Sequence, residues 1–317
     1  MQKSDLNTAL LFLVFNRPSC TQKVFDVIKK VKPKKLYVAC DGARNKIESR
    51  LVNEVKEIIK NITWPCELKT LFRNNNLGCK VAVSNAIDWF FKHEEKGIIL
   101  EDDCLPHIDF FYFCEELLIK YKNNPEISII NGTNFQDGNK RGSYSYYFSN
   151  IIHIWGWATW RRVWKDYDYK MLFWPKWKLT EEWKEKFPNF IERKYHEEIF
   201  DEVYEEKIDT WDYQLHAHVL KMNGLNITPN VNLVSNIGFG SNATHTFVVD
   251  KNSNMASYEI APLVHPNKII RNIKADKYEF NRNCGNVRWI YSKFKKFIVK
   301  LKIYQIVKKL ISKAYIR

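Results

Sequence analysis

The first 130 residues alternate between two hydrophobic periods. Leu10 to Phe15 is a short continuous apolar run, the pattern of a strand buried on both faces. Pro18 suits a first helical position, and Val24, Val27, Ile28 and Val31 follow at helical spacing. Leu36 to Cys40 reads as a second strand closed by Asp41-Gly42, and Leu51, Val55, Ile58 and Ile59 mark a second amphipathic helix. Leu68 to Phe72 is a third strand, ending in the polar loop Arg73 to Gly78. A helix through Trp89 leads to a fourth strand, Gly97 to Leu100. Residues 109 to 122 read as helix again, and Ile127 to Ile130 as a fifth strand.

Strands separated by helical patterns of roughly 10 to 15 residues predict βαβ units. The expected fold class is α/β, with a mostly parallel central sheet flanked by helices. Ligands of such sheets lie beyond the carboxyl ends of the strands. The polar residues at those ends are Asn16-Arg17, Asp41, Arg73 to Gly78 and Glu101-Asp102-Asp103. All four groups are expected to face one crevice. Beyond residue 135 the pattern loosens: residues 136 to 150 are polar, and seven of the 11 Trp fall between Trp155 and Trp183. Residues 210 to 222 predict a helix ending near Gly224, followed by a strand around Leu225 to Ile227. With no internal repeat and no clear linker, the simplest division is one domain, residues 1–286, and a tail, residues 287–317.

The composition of the 317-residue chain, 45% hydrophobic and 27% charged, is that of a globular protein with ample core material. No apolar run approaches the roughly 18 residues that span a bilayer. Asn16-Arg17-Pro18, not a cleavage site, follows the run Ala9 to Phe15, so a cytoplasmic protein is expected. The seven Cys contain no C-x-x-C pair, which fits neither a disulfide framework nor a zinc ribbon.

Charge changes the picture only once it is located. The net charge is +14, and residues 287–317 hold ten Lys or Arg and no acid, leaving +4 for the rest. A nucleic-acid enzyme more often spreads its basic face over the main domain, so no nucleic-acid partner is expected. In the tail, Ile290, Phe294, Phe297, Leu301 and Tyr304 recur at spacings of three and four among lysines. A basic amphipathic helix of this kind suits an anionic membrane surface; the alternative is a helix packed on the domain.

Glu101-Asp102-Asp103 is the sharpest chemical signal. Three successive carboxylates at the end of a buried strand repel one another and lose hydration. A divalent cation relieves both costs, and oxygen ligands suit Mg²⁺ or Mn²⁺; the alternative is a solvated acidic turn. Asp41 is an acceptor for a nucleobase or ribose, or a plain Asp-Gly turn. Arg17 and Arg73 end neighbouring strands and suit phosphates or a nucleoside. Neither G-x-G-x-x-G nor G-x-x-x-x-G-K-[ST] occurs, which argues against a dinucleotide fold or a P-loop.

Taken in order, Phe15-Asn16-Arg17-Pro18, the Asp41 strand end, the Arg73 to Gly78 loop and Ile99-Leu100-Glu101-Asp102-Asp103 resemble the GT-A-fold glycosyltransferases. The likeness is to bacterial surface-polysaccharide transferases and, more distantly, to Golgi N-acetylglucosaminyltransferases with a Glu-Asp-Asp motif. It continues in Gly156 to Arg162 and in Trp211-Asp212, and covers roughly residues 9 to 245. The resemblance implies a nucleotide-diphospho-sugar fold with a donor half, about residues 1–135, and an acceptor half, about residues 136–286. It implies Asp103 as the Mn²⁺ (or Mg²⁺) ligand and Asp102 beside it, facing the sugar and ribose. Asp41 would meet the uracil, with Asn16, Arg17, Arg73, Asn76 and Gly78 completing the nucleotide-sugar site. Asp212 would be the general base of an inverting transfer, or else an acid complementing a helix dipole, Asp209 and Thr210 supplying a cap without it. His245 falls where some of these enzymes bring a late His to the metal or diphosphate. The Trp155 to Trp164 segment, Trp157 above all, and Trp211 would form an acceptor platform, although core packing accounts for at least half of these Trp.

The expected function is metal-dependent, inverting transfer from a UDP-linked donor to a bacterial surface glycan such as lipooligosaccharide or capsule. The acceptor would be a glycan or lipid-linked glycan, met at the inner membrane. Two alternatives stand: a sugar nucleotidyltransferase, and a non-enzymatic basic module for membranes or nucleic acid. The first lacks its Gly-rich phosphate loop here; the main domain's low charge and stacked carboxylates oppose nucleic acid.

Overall fold

The computed structural model describes residues 5–239 and 251–285. The expected tail helix, residues 287–317, and His245 lie outside the described residues. The N-terminal half follows the predicted alternation. Strand β1 (Leu10–Val14) is buried throughout, and α1 (Pro18–Val31) begins with Pro18 and buries Val24, Phe25, Ile28 and Val31. The next units are β2 (Lys35–Cys40) with α2 (Lys46–Ile59), capped by the Asn45 side chain, and β3 (Glu67–Phe72) with α3 (Cys79–His93). Then come β4 (Lys96–Glu101), the short β5 (Cys104–Pro106), α4 (Ile108–Lys120) and β6 (Ile127–Asn131).

Beyond β6 the structure adds elements that periodicity did not reveal. The polar stretch contains β7 (Tyr146–Ser149), and the Trp-rich stretch opens with β8 (Trp157–Trp160), all four residues buried. The helices α5 (Arg161–Trp164), α6 (Trp174–Trp177), α7 (Glu181–Lys186) and α8 (Phe190–Tyr204) follow. The predicted helix near 210–222 is α9 (Asp212–Lys221), and β9 (Leu225–Pro229) comes after it as expected. Strand β10 (Val234–Asn236) and α10 (Ile273–Asn283) complete the described chain.

Eight strands form one sheet in the order β3-β2-β1-β4-β8-β6-β9-β7. Six run in one direction; β8, between β4 and β6, and β7, on the edge, are reversed. This is the expected mostly parallel α/β sheet, and its helices cover both faces of a continuous core from Leu6 to Val234. The chain before and after residue 135 therefore shares one sheet and one core. A second cluster, built from Met171, Trp174, Trp177, Trp183, Phe187, Phe200 and Val203, stabilises the helical excursion between β8 and α9. All seven Cys are free. Among the described residues no helix is long and apolar enough to cross a membrane.

The chain leaves β1 towards β2 on one side, while β4 pairs on the other. The loops at the carboxyl ends diverge at such a switch point and open a crevice between them. A small antiparallel sheet, β10 with β5, folds the 234–238 segment back over the end of β4.

Candidate active site

A cavity of about 780 Å³ opens at this switch point. Ten of the expected site residues line it: Asn16, Arg17, Asp41, Arg73, Asn76, Gly78, Asp102, Asp103, Trp211 and Asp212. The four strand-end groups thus face one crevice, as the βαβ pattern required.

Its acidic pole is the end of β4. Asp102 is 7% exposed and its Oδ2 accepts from the Phe15 amide at 3.0 Å, which ties the tips of β4 and β1 together. Arg17 donates to Asp103 and lies 3.8 Å from Asp102. Glu101 lines the same cavity, and its Oε1 is shut off from water with no hydrogen-bond partner. Burial, followed by repulsion from Asp103, Asp102 and Asp212, holds the Glu101 carboxyl well above its ordinary range. Burial and the Asp103 charge raise Asp102 as well. Arg17 therefore offsets the crowded negative charge only in part.

The opposite side is cationic and braced. Arg73 makes no ion pair among the described residues; burial lowers its basicity and Asp41 opposes that shift. Asp41 has become a loop tether. Its Oδ1 accepts from the Gly42 and Leu77 amides and its Oδ2 from the Leu77 and Gly78 amides, at 2.9–3.2 Å. The Asn76 amide group donates to the Gly42 carbonyl at 2.7 Å, and its oxygen accepts from Gly78. Asn16 donates to Glu48 at 3.2 Å, a carboxylate also held by Arg44. So Asp41, Asn76 and Asn16 shape the wall through bonds within the protein.

Asp212 opens α9 in its first turn and accepts from the Thr210 hydroxyl. The Trp211 carbonyl accepts from the Tyr167 hydroxyl at 2.9 Å, and the Trp211 ring stacks on Trp157 at 5.7 Å. Two expectations change here. Trp157 is fully buried in β8 and does not line the cavity. A ring with no exposed face reaches no acceptor, and Trp211, although it touches the cavity, is itself only 2% exposed, so neither ring offers a platform. Asp209 and Thr210 do not cap α9: Asp209 accepts from the Lys80 amide at 3.2 Å and so caps α3 across the crevice. Crevice-lining residues that sequence reasoning did not assign to the site include Arg44, Cys79, Asp209, Thr210, Tyr213, Asn236 and Gly238, and Trp155, the first residue of the expected platform segment, lines the crevice as well. Asp209 and Thr210 stand beside Trp211-Asp212 in sequence, a usable signal. Asn236 and Gly238 arrive through β10 pairing and carry none. Gly238 packs so closely that an added Cβ would lie 2.1 Å from Asp103 Oδ2, which excludes every larger residue there.

Among the described residues no group of three His, Cys, Asp or Glu side chains converges to hold an ion. The donor chemistry nonetheless fits a divalent cation: hard carboxylate oxygens, a buried Glu101 oxygen without a partner, and excess negative charge. Such a cation would be completed by substrate phosphates and water, as Mg²⁺ commonly is.

No protein-family model matches the sequence, and no curated protein matches it. Several solved structures are similar over about half of the chain. HddC from Yersinia pseudotuberculosis is 10% identical, with 53% of this chain and 86% of that chain covered and a TM-score of 0.34. A UDP-glucose pyrophosphorylase complexed with UDP-glucose is 10% identical over 50% of this chain and 78% of its own, with a TM-score of 0.31. The 4-diphosphocytidyl-2C-methyl-D-erythritol synthase of Anaerococcus prevotii is 7% identical over 50% and 76%, also with a TM-score of 0.31.

Proposed function

We propose that this protein is a metal-dependent, inverting glycosyltransferase of GT-A type, moving a sugar from a nucleotide-diphosphate donor, UDP-linked, to a surface-glycan acceptor. The observation that carries the reading is the convergence in one crevice of the β4 carboxylates, the strand-end arginines and Asp212, although they lie up to 195 residues apart in sequence. Arg73 offers a cation to the donor's phosphates, and the Asp41-tethered loop holds it beside the nucleoside. Asp103, with Asp102 beside it, would hold Mn²⁺ or Mg²⁺, which supplies Lewis-acid stabilisation to the departing diphosphate. Asp212 takes the proton of the acceptor hydroxyl as its oxygen bonds to the donor's anomeric carbon. The bond from that carbon to the diphosphate breaks, its electron pair leaving on the phosphate oxygen, and the configuration inverts.

The sugar-nucleotidyltransferase alternative meets a structural objection. Only residues 15–17 connect β1 to α1, too short a link for a Gly-rich phosphate loop. A donor screen separates the two. Wild-type protein should release nucleoside diphosphate from one of a panel of nucleotide sugars when Mn²⁺ and a glycoside acceptor are present, with an inverted product. Asp103→Ala should lose Mn²⁺-dependent donor binding while keeping its fold. Pyrophosphate release from a nucleoside triphosphate and a sugar phosphate would establish the alternative instead, and full donor affinity of Asp103→Ala in excess Mn²⁺ would refute the metal assignment.

A further inference from the structure

Trp155 is the ring of the Trp-rich segment that opens into the crevice. It is partly buried and lines the cavity, whereas Trp157, Trp160 and Trp164 are at most 3% exposed. Its position is built rather than incidental. Phe135 and Phe239 meet it edge-on, with ring centroids at 5.4 and 5.7 Å. The next residue, Gly156, has φ +67° and accepts from the Gly132 amide at 2.8 Å; an added Cβ at Gly132 would lie 2.5 Å from that carbonyl. Two backbones meet at these glycines and set the angle at which Trp155 leaves the sheet. Gly238 packs on Asp103, and its neighbour Phe239 packs on Trp155. The indole therefore lines the same cavity as the β4 acids and Asp212.

Resting on the proposed transferase reading, we infer that Trp155 is the acceptor platform: it stacks against the apolar face of a pyranose ring and so restricts the acceptor to a sugar. An indole presents a flat apolar surface with a polar N–H at its edge, and a pyranose has the complementary build, C–H groups on one face and hydroxyls around the rim. A pyranose stacked on Trp155 shares the cavity with the acids at the end of β4 and with Asp212, the proposed acceptor of a proton from one of its rim hydroxyls. Trp155 thus contributes binding and orientation, and no proton.

The test uses the full chain, its active nucleotide sugar and p-nitrophenyl hexosides as acceptor probes. Trp155→Ala should raise the acceptor KM about tenfold or more, the scale of one aromatic contact, with kcat changed less than threefold and UDP affinity retained. Trp155→Phe should fall between the two, because a smaller ring keeps part of the face. Intrinsic fluorescence should change when a hexoside is added to the wild type and not to Trp155→Phe. An unchanged acceptor KM in both variants overturns the platform while leaving the transferase reading intact. A wild-type protein that binds no nucleotide sugar overturns both.

Discussion

At Asp212 one carboxylate meets three influences that act in different directions. It sits in the first turn of α9, where the helix dipole favours negative charge. Thr210 donates a hydrogen bond that orients one oxygen, and Glu101 across the floor adds repulsion. Orientation matters most for a group that must accept a proton from a bound hydroxyl. Asp212→Asn keeps the shape and removes the proposed base, so turnover should fall by about 10² or more with little change in donor affinity. A variant that retains most of its turnover would show that Asp212 serves the helix alone. A product that keeps the donor's anomeric configuration would reject the base as well, since retention requires different chemistry.

The loop between β3 and α3 shows how one element is placed by others. Its backbone amides converge on Asp41 from β2, and the first turn of α3 is capped by Asp209 from the distant α8–α9 link. Lys80 adds an ion pair to Glu206 at 3.2 Å. Loop, helix start and link therefore form one wall of the crevice. Replacing Asp41 by Ala takes the acceptor from the exposed Leu77 amide and leaves the Gly78 amide with Asn76 alone, a loss of about 1 kcal/mol. The expected result is a lowered Tm and weaker UDP binding, since Arg73 rides on the same loop. Calorimetry with a nucleotide titration reads both. An unaltered Tm would mean that Asn76 and Asp209 hold the loop unaided.

Across the whole molecule, stability at low pH depends on the join between the helical excursion and the main sheet. His216 on α9 is buried and His196 on α8 half-buried, with ring centroids 5.5 Å apart. Burial pushes His216 down to about 4, with the Asn150 carbonyl opposing the shift, and His196 falls well below its ordinary value through burial and the His216 charge. In the unfolded chain both take up a proton near pH 6.5. Between pH 6.5 and about 4 the unfolded state binds protons that the folded state refuses, so the stabilisation is complete above pH 6.5 and is lost as pH falls. His216 alone accounts for about 3 kcal/mol over that window. Denaturant unfolding should show a lower midpoint at pH 5 than at pH 7, and His216→Gln should remove much of the difference. Equal pH dependence in the two proteins would shift the cause to other groups.

Period and punctuation in the sequence were enough to determine the βαβ half. Short apolar runs, helical spacing and the Pro18 and Asp-Gly signals locate β1 to β4 within a residue or two, because a strand buried on both faces and a one-sided helix leave local patterns. Strand ends in a parallel sheet share one edge, so the convergence of Arg17, Asp41, Arg73 and Asp103 was legible before any coordinates. Tertiary structure alone decided the rest. Strands β7 and β8 run against the main direction, and short buried segments carry no period that separates strand from packed loop. Whether Trp155 or Trp157 faces the crevice depends on a glycine-mediated backbone contact between residues 24 positions apart. Asp41 reads locally as an acid at a strand end; its engagement by the Leu77 and Gly78 amides appears only when the 73–78 loop returns to it. Local sequence encodes burial periodicity, whereas the use made of each polar atom depends on neighbours that only the folded chain supplies.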